Sequence, residues 1–146
     1  MTVTRRLALE NRIEDLDVIY AALQEIVGEA GMPEPLGNTL FLVCEELFSN
    51  VVRYGYAGDE TDRIELLIEC EPEFVRMTFR DHARPFDASV PPAEPSLDDP
   101  LEDMEIGGLG LFLVHHFSSS VRSWQEAGAN VTEIVVPAHP PADIAN

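Results

Sequence analysis

The chain has no lysine. All nine basic side chains are arginines, set against 27 aspartates and glutamates, which gives a formal net charge of −18 over 146 residues. A phosphate-binding P-loop, a protein-kinase fold with its strand lysine, a pyridoxal Schiff base and a lysine nucleophile each need an ammonium group, and are excluded. Nucleic-acid binding is excluded on similar grounds, because it rests on neutralising phosphates with cations. Anionic membranes are disfavoured likewise, and a basic protein partner is the natural expectation. No apolar run approaches the length of a membrane span and MTVTRRLALE has no signal-like core, so the expected compartment is the cytoplasm. Two cysteines make no disulfide framework, and Cys44 in LFLVCEEL and Cys70 in ELLIECE read as core thiols.

What is present suffices for one core. At 45% hydrophobic residues the chain reads as a single domain over residues 1–137, with a tail, 138–146, expected to be disordered. Residues 2–10 alternate like an edge strand. Asn11 with Glu14 resembles a capping box, and Ile13, Leu16, Ile19, Leu23, Ile26, Val27 and Ala30 recur at helical spacing until Gly31 and Pro33. A second helix is expected over 35–54, its apolar stripe Leu40, Cys44, Leu47, Phe48, Val51 and Val52. RIELLIECE and EFVRMTFRD read as a hairpin turning near Pro72. Residues 82–106 hold five prolines, with six acids crowded between Glu94 and Glu105, and predict a long irregular segment. A helix over 109–118 and a hairpin turning at 127–130 complete the order. Grouped helices beside neighbouring strands indicate an α+β, two-layer sandwich: a mixed, mostly antiparallel sheet with helices on one face.

Three stretches can carry chemistry. In EELFSNVVRYGY, Glu46 and Asn50 are one helical turn apart at the border of the apolar stripe, where a carboxylate and an amide oxygen can orient water and bind a hard divalent cation. A solvated helix flank is the plainer alternative. In RDHARPFD, Asp81 ends a strand and can accept from an exocyclic amino group, or simply cap the turn. Phe86 reads as core more readily than as a platform for a base. In IGGLGLFLVHHF, glycines before an apolar helix let backbone amides and the helix N-terminus approach polyphosphate without lysine. His115 and His116 diverge by about 100° on a helix and read as surface or interface residues.

In this order and spacing, EELFSN, DHARPFD and GGLGLFLV resemble the N, G1 and G2 boxes of the Bergerat-type ATPase superfamily. The PFD after the G1 aspartate, the GGLGL and the short length are closest to the anti-sigma-factor serine/threonine kinases. The resemblance covers about residues 8–136. It implies that Glu46 is the general base for an incoming serine or threonine hydroxyl, that Asn50 coordinates Mg²⁺ on the phosphates of ATP, and that Asp81 reads adenine. Residues 88–106 would be the ATP lid, and Gly107, Gly108, Leu109, Gly110 and Leu111 the phosphate turn. Ala83 and Phe86 fall within the G1 stretch, and Thr132 would support Asp81 or a water beside the base. Such kinases phosphorylate an anti-anti-sigma antagonist, sequester a sigma factor, and are commonly homodimers. Two departures stand out. Ala83 occupies a position where the family usually has glycine, so the backbone must avoid a positive φ there or carry strain. No basic residue lies between Arg84 and Arg122, which leaves Arg53 or Arg84 as the cation for phosphoryl transfer. The rival reading is a non-catalytic module that binds nucleotide or only a partner.

Overall fold

Alternate residues of every strand point to the two faces of a sheet, and the pattern of burial follows the apolar ones. The computed structural model describes residues 2–85, 88–90 and 108–139. Strand β1 (Val3–Glu10) leads through a short 3₁₀ turn (Ile13–Asp15) into α1 (Leu16–Glu29) and then α2 (Leu36–Tyr54). Strands β2 (Arg63–Cys70) and β3 (Phe74–Asp81) follow, then α3 (Gly108–Phe117), β4 (Ser120–Glu126) and β5 (Ala129–Pro137). The five strands lie in the order β1-β2-β3-β5-β4.

The α+β sandwich is as expected, and its sheet, expected to be mostly antiparallel, is antiparallel in every pairing. The crossover through α3 returns β4 in the direction of β3, but β5 folds back between the two, and no parallel pair forms. Leu9, Ile64, Leu66, Ile68, Met77 and Ile134 from one face of the sheet meet Ile19, Leu23, Ile26, Leu40, Val43 and Phe48 from the helices in one buried core. Cys44 and Cys70 are free and buried in it, as their apolar neighbours imply; burial pushes the Cys44 thiol far up and that of Cys70 up to about 11.

Asn11 does not cap α1. Its side chain instead donates from Nδ2 to the Glu60 carbonyl (2.9 Å) and accepts the Asp62 amide on Oδ1 (3.0 Å), tying the helix entrance to the loop before β2. The stop at Gly31 is as expected: its φ of 66° lets the Met32 amide reach the Val27 carbonyl at 3.0 Å, closing the end of α1. Among the described residues no helix is long and apolar enough to cross a membrane. The tail beyond residue 139, most of the acidic segment, Phe86 and Gly107 lie outside the described residues.

The sheet face turned away from the helices carries Arg6, Arg63, Arg76, Arg80 and Arg122, five of the nine arginines. Glutamates on the same face pair with four of them, at 3.5–3.9 Å. This face is therefore close to neutral in a chain whose net charge is −18.

Candidate functional site

Helix α2 carries Glu46, Asn50 and Arg53 at one-turn spacing, on one side of the helix. Glu46 and Asn50 are both half-buried, as their position beside the apolar stripe predicts, and Arg53 is exposed. Burial, reinforced by neighbouring Glu45, raises the Glu46 pKa, while Arg53 pulls it partly back. The Glu46 carboxylate packs directly against Gly110: a Cβ on that glycine would overlap Oε2 and stand 2.6 Å from Cδ. Only glycine admits this approach. Gly108, Leu109, Gly110 and Leu111 are the first four residues of α3, whose backbone amides have no partner within the helix. Glu46 thus lies against the first turn of α3, the positive end of its dipole. Leu111 itself is buried and anchors the turn in the core.

Asp81 is the last residue of β3 and only 4% exposed. Its Oδ1 accepts the Ala83 amide (2.9 Å) and Nδ2 of Asn130 on β5 (2.9 Å), and the same Nδ2 donates to the Ala83 carbonyl at 2.8 Å. The aspartate thus does cap its turn, but with one oxygen; Oδ2 takes no part in these bonds. Thr132 lies two residues along β5 from Asn130, opposite Phe79 and Ser123. Asn130 is the β5 residue that holds Asp81, and no reading of the sequence pointed to it. A polar residue directly opposite a strand-end aspartate in the register would have been the signal, but register is not visible before the strands are paired.

Ala83 needs no strained backbone. Among the described residues Ala127 alone combines a side chain with a positive φ. The Ala83 methyl instead fits where Gly55 has no side chain, and the Arg84 amide bonds the Gly55 carbonyl at 2.8 Å. The turn after β3 is thereby fastened to the end of α2.

A second fastening was also invisible in the sequence. Asp62 accepts the Tyr56 hydroxyl (2.6 Å) and the His82 amide (2.8 Å) on Oδ2, and faces His82 Nδ1 through Oδ1 at 2.9 Å. Burial opposes its charge, but the Tyr56 and His82 bonds prevail and hold Asp62 below the usual aspartate range. The Tyr56 phenol is driven up by burial and by its bond to Asp62, with Asp81 adding to the effect. Nearby, His115 Nε2 bonds the Ala88 carbonyl (2.8 Å) at the start of the acidic segment, and His116 stacks on Phe112.

No group of three His, Cys, Asp or Glu side chains converges as a metal cage among the described residues. A Mg²⁺ ion bound by nucleotide phosphates needs no such cage, because one protein oxygen plus phosphates and waters completes its shell. The Asn50 carboxamide, one helical turn from Glu46, offers an oxygen of that kind. Helix α2 thus touches the first turn of α3 through Glu46 and, at its end, the turn after β3 through Gly55.

The model of the histidine kinase-like ATPase domain matches residues 9–136. The chain belongs to this family. Serine-protein kinase RsbW of Listeria monocytogenes is 26% identical over 113 residues, covering 75% of this chain and 72% of that one, and the Listeria innocua protein of the same name is 25% identical over the same shares. The likeness to anti-sigma-type kinases read from the three boxes is borne out. In fold, the chain is similar to a Mycobacterium tuberculosis structure of RsbU and RsbW domains, with a TM-score of 0.60, 17% identity and 94% of this chain covered. It spans about a third of that longer chain, 33%. A blue-light activated histidine kinase from Erythrobacter litoralis follows with a TM-score of 0.53 and 15% identity, covering 84% of this domain and 40% of that chain.

Proposed function

We propose that this domain is an ATP-dependent protein serine/threonine kinase acting as an anti-sigma regulatory factor. The observation that carries the reading is the contact of Glu46 with Gly110, which puts a partly desolvated carboxylate against a helix start whose amides have no partner within the helix. A raised pKa suits a general base working near neutral pH. In this reading Glu46 takes the proton of a serine or threonine hydroxyl, whose oxygen bonds the γ-phosphorus as ADP departs. Asn50 would hold Mg²⁺, which supplies charge neutralisation on the phosphates. Amides of residues 108–111 bind phosphate oxygens, Asp81 reads adenine, and Arg53 or Arg84 offers the cation. Gly107, Phe86 and Thr132 belong to the proposed nucleotide-binding set.

The proposed substrate is an anti-anti-sigma antagonist, and the proposed second partner a sigma factor; both act in the cytoplasm, with no nucleic acid or membrane involved. A homodimer is part of the proposal. The near-neutral arginine-bearing sheet face supports it, since two copies of so acidic a chain repel least there. Incubating the purified chain with Mg²⁺-ATP and its antagonist should yield phosphoserine or phosphothreonine. Glu46→Ala should abolish transfer while nucleotide still binds. Normal transfer by that variant would remove Glu46 from the mechanism, and absence of nucleotide binding in the wild type would leave a non-catalytic, partner-sequestering module.

A further inference from the structure

Asp81 has two carboxylate oxygens, and the structure uses them unequally. Oδ1 already accepts two N–H groups, from the Ala83 backbone and from Asn130 Nδ2, both at 2.9 Å. Those two donors fill the in-plane lone pairs of one oxygen. The orientation of the Asn130 amide is fixed from both sides. Its Nδ2 donates its second hydrogen to the Ala83 carbonyl at 2.8 Å, and its Oδ1 accepts from Gln125 Nε2 at 3.2 Å. Turning the amide over would set its oxygen against a carboxylate and a carbonyl, three acceptors with no proton among them.

We infer that Asn130 sets the base specificity of the pocket by holding Asp81 Oδ1 out of the ligand's reach. This rests on the nucleotide-binding reading above. Adenine offers a carboxylate one exocyclic amino group, which Oδ2 alone can accept. Guanine offers an N1–H and an amino group side by side, a pair that only both oxygens of a carboxylate can satisfy. With Oδ1 occupied, a bound guanine keeps a buried donor unpaired, and an unpaired buried donor is costly. Asn130 does not touch the base. It is a positioning residue that makes a two-oxygen acceptor act as a one-oxygen acceptor, and Gln125 holds it in that pose.

The test is titration calorimetry of the full chain with Mg²⁺-ATP and with Mg²⁺-GTP, on the wild type, Asn130→Ala and Gln125→Ala. Gln125 is exposed on β4, so its variant keeps the fold even if Asn130→Ala loosens the turn. The wild type should prefer ATP. Asn130→Ala should shrink the ATP-to-GTP affinity ratio by on the order of tenfold, with Gln125→Ala moving it the same way by less. A purely structural role would weaken both nucleotides together, and an unchanged ratio in both variants overturns the inference while the nucleotide reading stands. A wild type that binds neither nucleotide at millimolar concentration overturns both.

Discussion

The Ala83 methyl occupies the space that a side chain on Gly55 would need: a Cβ built on Gly55 would lie 2.6 Å from Ala83 Cβ and 2.6 Å from the Val51 carbonyl. The turn carries the methyl and the opposite wall carries the glycine. The turn gains a methyl buried to 8% exposure, and the end of α2 gives up a side chain to receive it.

Gly55→Ala should therefore destabilise the domain by about 1–3 kcal/mol, the usual cost of overpacking. Ala83→Gly should fold, with a smaller loss. Thermal melting of both variants checks this, and a Gly55→Ala melting temperature equal to wild type would mean that the turn and helix are not in register as described.

Gly110→Ala should leave the helix itself intact, since alanine favours helix, yet push the Glu46 carboxylate away from the α3 turn. Phosphoryl transfer should fall by roughly 100-fold, the ordinary worth of a positioned base, with the far-UV dichroism unchanged. Transfer at the wild-type rate would show that Glu46 works from some other position.

The raised Glu46 pKa gives a signed pH dependence. Transfer should rise with pH through a midpoint above the ordinary glutamate value of 4.5, because the base is active only when ionised. For stability the sign is opposite. A carboxyl whose folded pKa is raised stabilises the fold while protonated, and that contribution is lost as pH climbs through the folded pKa. Glu46→Gln should thus melt no lower than wild type at pH 7, and the difference should vanish in acid. A variant that melts lower at pH 7 and recovers only in acid would reverse the assignment.

Asp62 has the contrary sign. Its folded pKa is depressed below 3.8, so its stabilisation is complete above that value and is lost as pH falls through the folded pKa. Asp62→Asn should lower the melting temperature at pH 7 and converge on wild type only as the pH falls through the folded pKa, which lies below 3.8. A gap that persists unchanged in acid would show that the Tyr56 and His82 bonds matter only for packing.

Ala127 carries a φ of 51° beside Gly128 at 81°, the geometry of a tight hairpin turn with both central residues left-handed. Ala127→Gly should stabilise the domain by about 1 kcal/mol by relieving that conformation. A lower melting temperature would contradict it.

Much of this was legible along the chain because it depends on local chemistry. The alternation in β1 to β3, the stripe of α2 and the left-handed stop at Gly31 follow from side-chain period and glycine's freedom, and needed no partner strand. Glu46 and Asn50 were readable for the same reason: one turn of helix fixes their common direction. The absence of lysine, too, was decisive at once, since it removed whole classes of phosphate chemistry. Asn11 misled because an asparagine can serve a helix end or a distant loop, and only packing chooses between them. The joining of residues distant in the sequence, Asn11 to Glu60 and Asp62, and Asp81 to Asn130, among them, was decided by the tertiary structure alone. Antiparallel register brings Asn130 opposite Asp81, the end of α2 lends Gly55 to Ala83, and the crossing of α3 over α2 sets Gly110 on Glu46. Such contacts arise from how pleated and helical surfaces meet in three dimensions, and a one-dimensional pattern carries the residues that make them but not their meeting.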